Sequence, residues 1–144
     1  MNYVVDTCII NKLIDGKISL GALPQNSSFF ASHIQIDEIN KTADAERRAQ
    51  LFLKLIEIRP ILVPAESMVW GRMRWGQMKW GDGELYSKLK GTLDSLNKSK
   101  LSNTNDALIA EIAINNGYIL LTTDTHLSNV ARELGCEVQC FEPK

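Results

Sequence analysis

Short apolar runs and helical apolar periodicity alternate along most of this chain. Tyr3-Val4-Val5 is apolar and rich in β-branched residues, the pattern of a buried strand. From Asp6-Thr7 the spacing changes: Ile9, Ile10, Leu13 and Ile14 fit a helix that Gly16 stops. Residues 17–27 read as loop, with Gly21, Pro24 and the polar run Gln25-Asn26-Ser27-Ser28. Phe29-Phe30-Ala31 predicts a second strand and Ile34 to Thr42 a helix. Glu46 to Ile58 predicts a longer helix with Leu51, Leu55 and Ile58 on one face. Pro60 ends it, and Ile61-Leu62-Val63 predicts a third strand. Helical segments are expected from about Ala65 to Lys79 and from Glu84 to Leu96. Asp106 to Asn115 predicts a helix with Ala107, Ile109, Ala110, Ala113 and Ile114 as its apolar positions, stopped by Asn116-Gly117. Tyr118 to Leu121 is then a strand, Thr125 to Leu134 a helix stopped by Gly135, and Val138 to Phe141 a last strand. Such alternation predicts an α/β fold, a central mostly parallel sheet flanked by helices.

Composition adds bounds. The 144 residues suit a single domain, residues 1–144, with a core that needs no staples. Cys8, Cys136 and Cys140 cannot all pair and lack zinc spacing, so buried thiols in a reducing compartment are expected. No basic leader precedes an apolar run, and no apolar stretch is long enough for a membrane span, so a cytoplasmic protein with no membrane partner is expected. A net charge of −1 gives no general attraction to nucleic acid. Its distribution is uneven: residues 72–100 carry +4 and residues 101–144 carry −4. A basic middle beside an acidic tail suits an enzyme that grips phosphates with one part and cuts with another; on charge alone a solvated helical face is the favoured reading.

Four acids carry the candidate chemistry. In an open parallel sheet, ligands bind where strand C-terminal ends hand over to helices. Asp6 directly follows the first predicted strand, and Asp124 follows the penultimate one through Thr122-Thr123. Glu38 is expected about one turn into the helix after the second strand, and Asp106 in the first turn of its helix. Each alone has an ordinary structural role open to it. Asp6 and Asp124 suit N-caps; Asp106 suits a helix dipole; Glu38, with Asp37 beside it, suits a solvated surface. Together they imply more. Two carboxylates ~5 Å apart repel by roughly 3 kcal/mol at an effective dielectric near 20, so such a cluster must take up protons or bind cations. Oxygen-only ligands favour Mg²⁺ or Mn²⁺. Such ions activate water and orient in-line displacement at phosphorus.

The same residues resemble the PIN-domain ribonuclease family. Val4-Val5-Asp6-Thr7 is similar to its opening motif, and Ile36-Asp37-Glu38-Ile39 to its second, which selects Glu38 over Asp37. Asn105-Asp106-Ala107-Leu108-Ile109-Ala110 resembles the third motif and Leu121-Thr122-Thr123-Asp124 the fourth. Trp70-Gly71-Arg72-Met73 resembles a segment of the VapC-like toxin branch. The resemblance implies a PIN-like α/β sandwich and Mg²⁺- or Mn²⁺-dependent cleavage of RNA. It places catalysis and metal binding on Asp6, Glu38, Asp106 and Asp124, and implies 5′-phosphate and 3′-hydroxyl ends. The toxin branch further implies a cognate antitoxin protein and a homodimer. One departure is visible: after Asp124 the family has a short segment ending in phenylalanine, where this chain has Thr125-His126-Leu127.

Thr7, Asn105, Thr122 and Thr123 adjoin the acids and are candidates to orient carboxylates or bound water; turn and capping chemistry is their other role. His126 is a candidate for phosphate contact or proton transfer, and His33 has less to recommend it. Trp70, Trp75 and Trp80 recur every five residues, about 140° beyond a full helical turn, so they do not share one narrow face. Packing or protein contact ranks above base stacking for them. Two rival readings remain open. One is a catalytically silent RNA- or protein-binding PIN-like module. The other is a phosphoacceptor domain, which Asp6-Thr7-Cys8 disfavours because it lacks a second aspartate.

Overall fold

The computed structural model describes residues 1–64, 84–97 and 102–141. The helix expected over 65–79, the Trp70/Trp75/Trp80 repeat and most of the basic residues of 72–100 lie outside the described residues. The strands are β1 (Asn2–Val5), β2 (Ser28–Ala31), β3 (Ile61–Leu62), β4 (Ile119–Thr122) and β5 (Val138–Cys140). The helices are α1 (Thr7–Ile14), α2 (His33–Asn40), α3 (Ala45–Ile58), α4 (Glu84–Asn97), α5 (Ser102–Asn116) and α6 (Thr125–Glu133).

All strand pairs are parallel, in the order β3-β2-β1-β4-β5, so the sheet is more uniform than the mostly parallel one expected. Side-chain alternation splits the core between its two faces. Tyr3, Val5, Ile119 and Leu121 pack with Ile9, Ile10 and Leu13 of α1 and with Leu51, Leu55 and Ile58 of α3. Val4, Phe30 and Leu120 pack on the other face against Leu89 and Leu93 of α4, Leu108 and Ile112 of α5, and Leu127 and Val130 of α6. Phe30 also stacks on Tyr118, with ring centroids 4.2 Å apart. Gly16, Gly117 and Gly135 stand at positive φ just beyond helices, the left-handed conformation that glycine adopts without cost.

Two expectations change. α5 begins at Ser102, so Asp106 is its fifth residue and lies outside the first turn. The early start was obscured because Ser102-Asn103-Thr104-Asn105 is entirely polar and offers no apolar periodicity. Of the three thiols, all free, Cys136 alone is buried, while Cys8 and Cys140 are half-buried. Among the described residues, no helix is long and apolar enough to cross a membrane.

Candidate acidic site at the strand ends

β1 and β4 lie side by side, but their chains leave in opposite directions: β1 leads through α1 to β2, and β4 leads through α6 to β5. That divergence opens a crevice at the carboxyl ends of the two strands. Asp6 and Asp124 stand on its two sides.

Asp6 holds the N-cap position of α1, yet its side chain makes no capping hydrogen bond. Its Oδ2 instead accepts from Thr122 Oγ1 at 2.7 Å and from Cys8 Sγ at 3.1 Å. Burial is nearly complete, at 4% exposure, and pushes the carboxyl above its ordinary range. The two hydrogen bonds pull the other way, and the Asp124 charge adds to the rise. Thr122 is a junction: its hydroxyl donates to Asp6 while accepting from the Asp124 backbone N–H at 3.0 Å.

Asp124 does serve as an N-cap. Its Oδ1 accepts from the backbone N–H groups of His126 at 2.9 Å and Leu127 at 3.1 Å. His126 enters the arrangement through that N–H, and its side chain region is exposed. Glu38 is the sixth residue of α2. Its Oε1 accepts from Thr7 Oγ1 at 2.9 Å, and Asn105 also hydrogen-bonds to it. Burial, then the Asp6 charge, raises its carboxyl to about 7. Asp106 rises to about 9 through burial first, and then through the charges of Asp6, Glu38 and Asp124. All three other acids therefore act on Asp106, and Glu38, in place of the adjacent Asp37, is the one that does so. The four positions picked from sequence converge on one region, drawn from both sides of the crevice.

Two neighbours escaped the sequence reading. Cys8, assigned as a buried thiol, contacts Asp6, lies 3.4 Å from Thr122 Oγ1 and accepts from the Thr123 N–H at 3.2 Å. Its place two residues beyond Asp6 was the available signal. Gln35 is fully buried and links Ser32 to Val5. The pattern Ser32-x-x-Gln35, a capping box, announced it.

The donor chemistry suits a hard cation: carboxylates packed so that they rise in pKa are a site short of positive charge. As the side chains lie, however, among the described residues no three histidine, cysteine, aspartate or glutamate side chains form a ready ligand set for one ion. The carboxylates are neighbours rather than a closed cage.

No family model and no curated protein matches the sequence. Solved structures do match the fold. A domain of a functionally unknown protein from Methanocaldococcus jannaschii is similar at 22% identity and a TM-score of 0.56, covering 99% of this chain and 92% of that one. A chain in the structure of VapBC2 from Rickettsia felis bound to a DNA fragment from their promoter is similar at 18% identity and a TM-score of 0.61, covering 99% of this chain and 100% of that one. A chain of VapBC-1 from nontypeable Haemophilus influenzae is similar at 18% identity and a TM-score of 0.56, covering 97% and 98%. The architecture is the PIN-like α/β fold that the sequence motifs implied, over nearly the whole chain.

Proposed function

We propose that the protein is a Mg²⁺- or Mn²⁺-dependent endoribonuclease, with Asp6, Glu38, Asp106 and Asp124 as its catalytic and metal-holding residues. The observation that carries this reading is Asp106, whose carboxyl is driven up to about 9 by burial and by the three other acids together. A cluster built at such electrostatic cost needs a function for its charge. Bound there, a divalent ion would lower the pKa of water and neutralise charge at the scissile phosphate.

The chain's own residues do the rest. Thr122 and Cys8 donate to Oδ2 of Asp6, and the Thr7 backbone also hydrogen-bonds to this carboxyl. The α6 cap occupies Oδ1 of Asp124 and leaves Oδ2. Thr7 and Asn105 fix Glu38. Asp6, Glu38 and Asp124 are thus oriented by neighbours before any ligand arrives, which is how such sites avoid reorganisation. Without a cation, burial and the neighbouring acids favour the protonated forms of Glu38 and Asp106, and a divalent ion that displaced those protons would supply the positive charge a polyanionic substrate needs.

The fold likeness and the motifs support, as the biological setting of this reading, the toxin of a type II toxin–antitoxin pair, held inactive by a cognate antitoxin protein and assembled as a homodimer. Incubating purified protein with labelled single-stranded and hairpin RNA, with Mn²⁺, Mg²⁺ or chelator, tests the activity. Metal-dependent cleavage leaving 5′-phosphates is expected, and Asp6→Asn or Asp106→Asn should lower it at least a thousandfold with the fold intact. Folded variants that cut as fast as the parent would sink the acidic-site reading. RNA binding in chelator with no cleavage at any metal concentration would mark a silent binding module instead. Induction that halts growth, relieved by the same substitutions, would separate a toxin from a processing enzyme.

A further inference from the structure

The β1–β2 ladder stops one rung early, and a side chain takes the missing rung. The two strands pair in parallel as Asn2↔Ser28, Tyr3↔Phe29 and Val4↔Phe30, and Ser28 N–H donates to the Met1 carbonyl at 2.9 Å. Parallel rungs recur every second residue. The series that begins at Ser28 N–H and Met1 O passes to Phe30 and Tyr3, and its next member is Ser32 N–H to Val5 O. That bond is replaced. Ser32 N–H donates to Gln35 Oε1 at 2.9 Å, and Gln35 Nε2 donates to Val5 O at 3.0 Å. Two hydrogen bonds with an amide between them stand where one direct bond would close the strands.

Gln35 is held firmly in this pose. It is fully buried, and its Oε1 also accepts from Ser32 Oγ at 2.6 Å. The Ser32 hydroxyl in turn caps Ile34 N–H at 3.1 Å. The location matters because Val5 immediately precedes Asp6, and Gln35 lies three residues before Glu38 on the same helix. A glutamine acting only as half of a capping box would have no need to reach the neighbouring strand.

We propose that Gln35 is a positioning residue whose side-chain amide, spliced into the β1–β2 ladder, holds the strand ends at a fixed spacing and so sets Asp6 and Glu38 apart for a cation. This rests on the reading of the site as cation-binding. Removing the amide lets Ser32 N–H and Val5 O close directly, drawing α2 and Glu38 toward β1.

Scalar couplings across hydrogen bonds in the metal-free, isotope-labelled protein test the splice. A coupling from the Gln35 side-chain amide to the Val5 carbonyl is expected; a coupling from the Ser32 backbone amide to that carbonyl overturns the proposal. Calorimetric titration with Mn²⁺ tests the consequence. Gln35→Met should bind Mn²⁺ at least tenfold more weakly than the parent. A folded Gln35→Met with parental Mn²⁺ affinity overturns the positioning role. Should Gln35→Met fail to fold, Gln35→Leu takes its place, keeping an apolar side chain without donor or acceptor, with the same tenfold expectation and the same overturning result. A parent that binds no Mn²⁺ overturns this role together with the metal reading. A parent that binds Mn²⁺ but cuts no RNA overturns the nuclease alone.

Discussion

Asp6 is buried, and two small side-chain donors hold one of its oxygens. Thr122 gives its one hydroxyl proton to Oδ2, and the Cys8 thiol sits against the same oxygen. Burial and the Asp6 charge push that thiol far above its ordinary range, so it remains an S–H donor at any physiological pH. The thiol also accepts the Thr123 N–H, which ties α1 to the turn that carries Asp124. Cys8→Ala removes both bonds at once, and Cys8→Ser retains a donor and an acceptor of smaller radius. Mn²⁺ affinity and cleavage rate are expected to fall by roughly tenfold in Cys8→Ala and by at most a few-fold in Cys8→Ser, by analogy with the loss of groups that orient metal ligands. Equal losses in the two variants would show that the thiol acts through packing volume and not through its hydrogen bonds.

At the scale of elements, Asp124 combines two roles that a pair of substitutions separates. Its Oδ1 caps α6, and asparagine caps a helix about as well as aspartate. Asp124→Asn should therefore lose cleavage without losing thermal stability. Asp124→Ala should lose cleavage and also roughly 1 kcal/mol of stability from the missing cap. Calorimetry of both variants checks this, and equal midpoints would mean that the cap contributes nothing. The same element shows what sequence could reveal. Strand ends and helix starts at Asp6 and Asp124 were legible because a continuous apolar run gives way to 3.6-residue periodicity there. The start of α5 was not, since four polar residues precede Asp106 and carry no period. Motif likeness chose Glu38 over Asp37, and the bond from Thr7 shows the physical basis: Glu38 projects toward α1. The spliced amide of Gln35 stayed hidden because a capping box is local, whereas its bond to Val5 spans 30 positions in sequence. Cys8 was hidden for a related reason: its partners Thr122 and Thr123 become neighbours only when β1 pairs with β4.

For the whole molecule, the acidic site sets how stability responds to pH. Glu38 moves from 4.5 to about 7 and Asp106 from 3.8 to about 9 on folding. Between about pH 4 and 9 these two carboxyls consequently bind more protons in the metal-free folded protein than in the unfolded chain. Their contribution to stability then falls as pH rises, since the slope follows the protons bound unfolded minus those bound folded. The contribution is fully present below the unfolded values and is lost through about 7 and then about 9. In chelator, the denaturant midpoint should drop from pH 5 to pH 8.5, with a loss on the order of a few kcal/mol. Asp106→Asn cannot ionise and should flatten the drop, leaving the variant more stable than the parent at pH 8.5 by roughly 1–3 kcal/mol. Divalent cation should oppose the trend, because it binds the ionised carboxylates that protons otherwise neutralise. At a hundred times its dissociation constant it adds about 2.7 kcal/mol, with the larger gain at the higher pH, where fewer protons compete. Urea unfolding of parent and Asp106→Asn at both pH values, with Mn²⁺ and with chelator, measures all three effects. A metal-free parent that gains stability between pH 5 and 8.5 would mean that the carboxylates do not crowd as the fold places them, and the case for a cation between them would go with it.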